Sequence, residues 1–196
     1  MKKIVVGITG ASGSIYAKRL IEELVKADIY INVIATEKGK QVFKYELSLD
    51  LDNWIEDIKK GYEKITLENN DNLFSGVASG SNKYDAVIVL PCSMGTLAEI
   101  SYGLAKNLLN RTADVALKEG RKLIIVPRET PFNTIHLENM CRLSKMGASI
   151  IPAMPGFYHH PKTIEDIVDF LIGKILDYLN IDNNMFKKWE GTNNEI

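Results

Sequence analysis

Lys3-Ile4-Val5-Val6-Gly7-Ile8-Thr9-Gly10-Ala11-Ser12-Gly13 leads into a segment with Ile15, Leu20, Ile21 and Leu24 at helical spacing. The order is a short β-branched run, a glycine-rich turn, then an amphipathic helix over 13–26. A strand that is apolar without alternation is covered on both faces, and a helix that follows it directly is the first half of a βα unit. Outward from this unit the alternation recurs. Strands are expected at 29–35, 85–90, 122–126 and 149–153, and helices at 39–45, 94–104, 108–119, 135–146 and 164–179. The pattern predicts a three-layer α/β fold: a parallel sheet of about six strands with helices on both faces. Residues 46–72 carry eight Asp/Glu against three lysines and little periodicity, so they are expected to form an excursion, a lid or a helical hairpin.

Composition narrows the function classes. The 196 residues are 45% hydrophobic and 25% charged, enough apolar material for a full core. A net charge of -1 argues against generic nucleic-acid binding, which needs a basic surplus. Two cysteines, Cys92 and Cys141, do not make a disulfide framework or a cysteine-built zinc site. The longest apolar run, 86–90, is far short of the ~20 residues of a membrane helix. The opening residues imitate a signal peptide briefly, but the glycine at position 7 breaks the run, so it reads as a strand. The expected location is the cytoplasm. Residues 1–182 read as one domain, and 183–196 as a polar tail carrying Trp189.

Two loops are suited to an anionic ligand. Gly7-Ile8-Thr9-Gly10-Ala11-Ser12-Gly13 brings backbone amides and a helix N-terminus together, although its spacing is not that of the dinucleotide fingerprint. Pro91-Cys92-Ser93-Met94-Gly95-Thr96 repeats the design after the strand at 85–90. Tyr102-Gly103-Leu104-Ala105-Lys106 spells the Y-x-x-x-K of nicotinamide reductases. No acidic residue closes the second strand to hold an NAD ribose, however, and Ala35-Thr36 offers a hydroxyl there instead. The Y-x-x-x-K match is therefore read as coincidence. From Lys106 to Arg128 there are six basic residues against two acidic ones, a concentration of cations suited to phosphorylated ligands.

At this point the chain resembles the flavin prenyltransferases of UbiX type. The resemblance spans nearly the whole sequence and rests on the two loops above together with Ala78-Ser79-Gly80-Ser81. It continues through Asn107-Leu108-Leu109-Asn110-Arg111-Thr112-Ala113-Asp114-Val115 and Pro127-Arg128-Glu129-Thr130-Pro131. His136-Leu137-Glu138-Asn139-Met140 and Pro152-Ala153-Met154-Pro155-Gly156-Phe157-Tyr158-His159 complete it. The resemblance implies a Rossmann-like (flavodoxin-like) FMN-binding fold and a metal-independent activity. That activity joins a dimethylallyl group from dimethylallyl phosphate to N5 and C6 of reduced FMN. The product, prenylated FMN, serves a partner decarboxylase. A homo-oligomer, a dodecamer, is implied as well.

By the same resemblance FMN is expected at Gly10, Ala11, Ser12, Thr36, Ser93, Met94, Gly95, Thr96 and Arg128. The implied catalytic residues are Ser12 at the flavin N5, Glu129 as proton donor and base, Glu46 and Tyr158. Tyr158, Lys174, Lys118 and Arg111 are expected to hold the prenyl phosphate; Tyr158 and Trp189 are candidates to wall the allylic cation with their ring faces, and for Trp189 apolar docking of the tail is the other reading. Thr36 replaces the family's usual serine, Glu37 a frequent lysine, and Lys174 a frequent arginine, which trades a bidentate fork for a point charge. For Glu129 the alternative is an ion pair with Arg128, against which its place at the sheet's carboxyl edge favours catalysis, and Lys174 taken alone is an ordinary solvated lysine. His159 and His160 are adjacent and lack further ligands, so no metal is assigned. Two other readings stand beside the enzyme: a non-catalytic FMN-binding subunit, and a flavin-dependent peptidyl-cysteine decarboxylase. The second needs an early histidine, and none precedes His136.

Overall fold

The computed structural model describes residues 2–187. Six strands, β1 (Lys3–Ile8), β2 (Tyr30–Ala35), β3 (Ile65–Glu68), β4 (Ala86–Cys92), β5 (Lys122–Pro127) and β6 (Ser149–Ile150), form one sheet in the order β3-β2-β1-β4-β5-β6. Every pairing is parallel. The helices are α1 (Ser14–Lys26), α2 (Glu37–Leu47), α3 (Leu51–Lys59), α4 (Met94–Ser101), α5 (Leu108–Lys118), α6 (Thr134–Lys145) and α7 (Ile164–Tyr178). The parallel sheet with its covering helices is what the alternation anticipated, and the Rossmann-like, flavodoxin-like architecture is what the resemblance implied. The chain divides into two compact units, residues 1–153, which hold the whole sheet and α1–α6, and residues from 154 onward, which hold α7.

In the first unit the period of two along each strand sorts the core. Val5, Val87, Val89, Leu123 and Ile125 join a cluster with Met94, Leu97 and Ile100 of α4, Leu108, Leu109 and Ala113 of α5, and Leu143 of α6. The alternate residues Ile4, Val6, Ile8, Ile88 and Ile124 are fully buried too, on the face that α1 covers with Ala17, Leu20, Ile21 and Leu24. β4 is buried at every position, as a central parallel strand must be.

The excursion expected at 46–72 is instead regular structure. α2 runs on to Leu47, α3 starts behind the Asp50 side chain, which accepts from Asn53 N, and β3 adds an edge strand to the sheet. Only Leu51 and Ile55 of α3 are buried, and of β3 only Ile65. One apolar position per turn, or one per strand, leaves almost no periodic signal. The helix expected to reach 104 stops at Ser101, because Gly103 adopts a φ of 68°. The last strand is shorter than expected, yet Ile151 and Ala153 still donate to Ile125 and Pro127. None of the helices among the described residues is long and apolar enough to cross a membrane.

Candidate active site

The strand order turns back on itself between β1 and β4, and ligands of open α/β sheets bind at the carboxyl edge of such a switch point. Two loops meet there. Thr9, 1% exposed, fastens them: its hydroxyl donates to Pro91 O at 2.7 Å and accepts from Ser93 N at 2.8 Å. Loop β1–α1 is thereby tied to loop β4–α4 across 84 residues of sequence. A third element closes in from β2. A Cβ at Gly10 would stand 2.7 Å from Lys38 Cβ, and one at Gly39 would stand 2.6 Å from Ile8 O, so the first turn of α2 can lie against the loop only with glycine at both places.

Ser93 caps α4. Its Oγ accepts from Thr96 N at 3.3 Å and donates to Thr96 Oγ1 at 3.1 Å. The amide of Ser93 goes to Thr9, which leaves the first-turn amides of Met94 and Gly95 without partners among the described residues. Gly95 is exposed, and a Cβ there would meet nothing within 4 Å. Arg128 enters from the end of β5, its amide donating to Cys92 O at 3.3 Å. Its buried Nε has no partner among the described residues. Two open amides at a positive helix end beside an orphaned guanidinium nitrogen fit a phosphate-bearing group such as FMN. Thr36 caps α2 by accepting from Gly39 N at 3.0 Å, and the hydroxyl keeps its proton to donate.

The first loop departs from expectation. The positive end of α1 is already taken, because Glu46, in the last turn of α2, accepts from Gly13 N at 3.0 Å and from Ser14 N at 2.7 Å. Partial burial pushes the Glu46 carboxyl up, but hydrogen bonds from Ser12, Ser14 and Gly13 together outweigh it and hold the pKa below its ordinary value. Ser12 is exposed at the mouth of the crevice, so a hydroxyl and a fixed carboxylate form one unit there. Sequence reading placed Glu46 in a poorly structured segment, yet it lies at the centre of the loop.

Glu129 follows Arg128 but does not pair with it; its Oε1 accepts from Thr130 N at 2.9 Å. The Cys92 thiol is buried and pushed far up by desolvation, which leaves it an inert core residue. Lys118 is not gathered with these groups. It ends α5, just before β5 begins, and its ammonium bonds Glu119. The six residues of β5, at about 3.3 Å each, separate that amino edge from Arg128. Arg111 donates to Ala78 O at 3.2 Å and pairs with Asp114 at 2.7 Å.

In the second unit Tyr158 and Lys174 share a neighbour. The Tyr158 ring meets Phe170 edge-on at 5.6 Å, and Lys174 Nζ lies 5.7 Å from the same ring. Phe170, which both side chains approach, and Thr9, which bridges the two loops, are contacts that sequence reading missed. Thr9 carried a faint signal as a hydroxyl inside the glycine loop, and Phe170 carried none beyond helical spacing. Trp189 lies outside the described residues. No group of three or more His, Cys, Asp or Glu that could hold a metal ion occurs among the described residues.

The flavoprotein family profile matches residues 1–176. A flavin prenyltransferase UbiX of Methanocaldococcus jannaschii is 53% identical over 189 residues, covering 95% of this chain and 98% of that one. The crystal structure of AnUbiX (PadA1) in complex with FMN and dimethylallyl pyrophosphate superposes with a TM-score of 0.91 at 36% identity, covering 97% and 98% of the two chains. A dodecameric FMN-dependent UbiX-like decarboxylase from Escherichia coli O157:H7 superposes with a TM-score of 0.89 at 38% identity, covering 96% of this chain and 100% of that one.

Proposed function

The chain belongs to the flavin prenyltransferase (UbiX) family of flavoproteins, and on that premise we propose that it joins a dimethylallyl group from dimethylallyl phosphate to N5 and C6 of reduced FMN. The observation that carries this reading is the crevice between β1 and β4, where the open amides of Met94 and Gly95 and the orphaned Arg128 Nε flank the Ser12–Glu46 pair. FMN supplies the nucleophilic ring; the chain holds its phosphate and moves protons. Gly10, Ala11, Thr36, Ser93 and Thr96 complete the cradle with hydroxyls and close backbone. Ser12 relays a proton at N5, and Glu46 accepts from Ser12 and fixes its orientation. Glu129 is free of Arg128, so it can give a proton to the departing phosphate and take one as the new ring closes. Tyr158 and Lys174 bind the phosphate of the prenyl donor.

A homo-oligomer completes the site. The position of Lys118 at the amino edge of β5 supports its donation, with Arg111, to the site of a neighbouring copy, and the dodecameric relative supports a dodecamer. The single profile match over residues 1–176 supports one FMN-binding domain over 1–182 with 183–196 as its tail. The product passes to a prenylated-FMN-dependent decarboxylase, in the cytoplasm. Incubation of the purified protein with reduced FMN and dimethylallyl phosphate, followed by mass analysis of the flavin, tests the reading. A flavin heavier by one dimethylallyl unit supports it, and unchanged FMN refutes it.

A further inference from the structure

Helix α7 carries a glycine in its interior, at a position where helix propensity argues for almost anything else. Gly173 is buried, and a Cβ there would stand 2.6 Å from both Cδ1 and Cε1 of Phe186 and 3.0 Å from Cβ of Met185. The chain returns to it by a defined reversal. Asn180 takes a φ of 53°, Ile181 N donates to Leu176 O at 2.9 Å, and Asn183 Nδ2 donates to Asp177 Oδ1 at 2.9 Å. The returning Phe186 ring then meets Phe170 at 5.1 Å and His159 at 6.2 Å. Lys174, the residue after the glycine, has its ammonium 5.2 Å from the Phe186 centroid and 5.7 Å from that of Phe170. Among the described residues no carboxylate pairs with it.

We propose that Gly173 is the seat of the returning tail, and that Phe186, docked on it, is a positioning residue for Lys174, fixing the ammonium that meets the phosphate of the prenyl donor. The proposal rests on the reading of Lys174 as donor-binding. A lysine is a point charge on a flexible four-carbon stem. Two ring faces attract the ammonium and narrow its range before the donor arrives, so less freedom is lost on binding. They leave the charge uncompensated, which a carboxylate partner would not. Glycine is needed because any side chain at 173 would occupy the ring's place.

Two variants of the full-length protein test this. Gly173→Ala puts a methyl group where the Phe186 ring lies, so the tail lifts; Phe186→Leu keeps an apolar anchor but removes the ring face. Both are expected to raise KM for dimethylallyl phosphate about two- to fivefold, the worth of one exposed cation–π contact, with kcat and FMN affinity near the parent's. Tryptic cleavage after Lys187, followed by mass spectrometry, reads the seat without any activity. It is expected to quicken in Gly173→Ala and to remain near the parent rate in Phe186→Leu. Parent-like cleavage and parent-like KM in Gly173→Ala would overturn the proposal, as would a parent-like KM in Phe186→Leu. If the parent itself leaves reduced FMN unmodified, the proposed function falls, and with it the role of Phe186 toward the donor. The cleavage arm still decides the seat.

Discussion

Replacing Thr9 by valine keeps the shape of a side chain that is 1% exposed and removes its oxygen. Two groups lose their partner at once: Pro91 O, held at 2.7 Å, and Ser93 N, held at 2.8 Å. Leaving a buried donor or acceptor unsatisfied costs about 1–3 kcal/mol each. Pro91 is buried while Ser93 is half-buried, so the first cost falls in the upper part of that range and water relieves some of the second. A total of about 2–4 kcal/mol follows, or roughly 4–16 °C in Tm for a chain of 196 residues. The loss has a functional side, because Ser93 caps the helix whose first-turn amides are proposed to hold the FMN phosphate. Thermal unfolding of the FMN-free protein, paired with an FMN fluorescence titration, measures both. Thr9→Val is expected to lower Tm and weaken FMN together, and Thr9→Ser, which keeps the oxygen, to restore both. A Thr9→Val protein that melts with the parent and binds FMN equally well would show that the two loops hold their places without this bridge.

Glu129→Gln is expected to leave FMN binding intact and slow prenylation by about 10²–10⁴-fold; a parent rate would reduce the carboxylate to its contact with Thr130. Lys174→Ala should instead raise KM for the prenyl donor with little change in kcat, and a fall in kcat alone would remove Lys174 from donor binding. Glu46 sets an acid dependence. Its pKa in the fold lies below the ordinary 4.5, so the native state binds that proton more weakly than the unfolded chain. Its contribution to stability is therefore full above pH 4.5 and lost as pH falls through the lowered value. The Tm gap between the parent and Glu46→Gln should thus narrow from pH 7 to pH 3, and a gap independent of pH would refute the assignment.

What could be read in the sequence follows the range of the interactions involved. The βα alternation, the two glycine-bearing loops and the apolar run of β4 are local patterns, and each gave its element within a few residues. Glu46 is different. Its residue type was visible, but its place at Gly13 and Ser14 depends on how α2 packs over the first loop, 32 and 33 residues away, and no local spacing encodes that. The Thr9 bridge spans still more sequence, so the hydroxyl passed for one more small residue in a glycine turn. Lys118 could be recognised as a cation but not located, because only the sheet shows that the end of α5 lies at the amino edge. α3 and β3 were missed for a simpler reason: each buries too few side chains to stand out from the charges around it.

The carboxylate of Glu46 on the first helix also acts as a tethered competitor. A dinucleotide bound in the Rossmann manner lays its pyrophosphate on the N-terminus of the helix that follows β1. Here that position is filled by an anion of the same chain, which is present at an effective concentration of at least the order of millimolar because it never diffuses away. Inorganic phosphate, NAD and NADP must therefore expel a covalently attached rival, whereas a mononucleotide that sends its phosphate to the start of α4 meets none. The Glu46 carboxylate on Gly13 N and Ser14 N thus disfavours an anion at that helix end without having to touch a ligand bound elsewhere. It is a form of exclusion built by occupying the wrong ligand's place in advance.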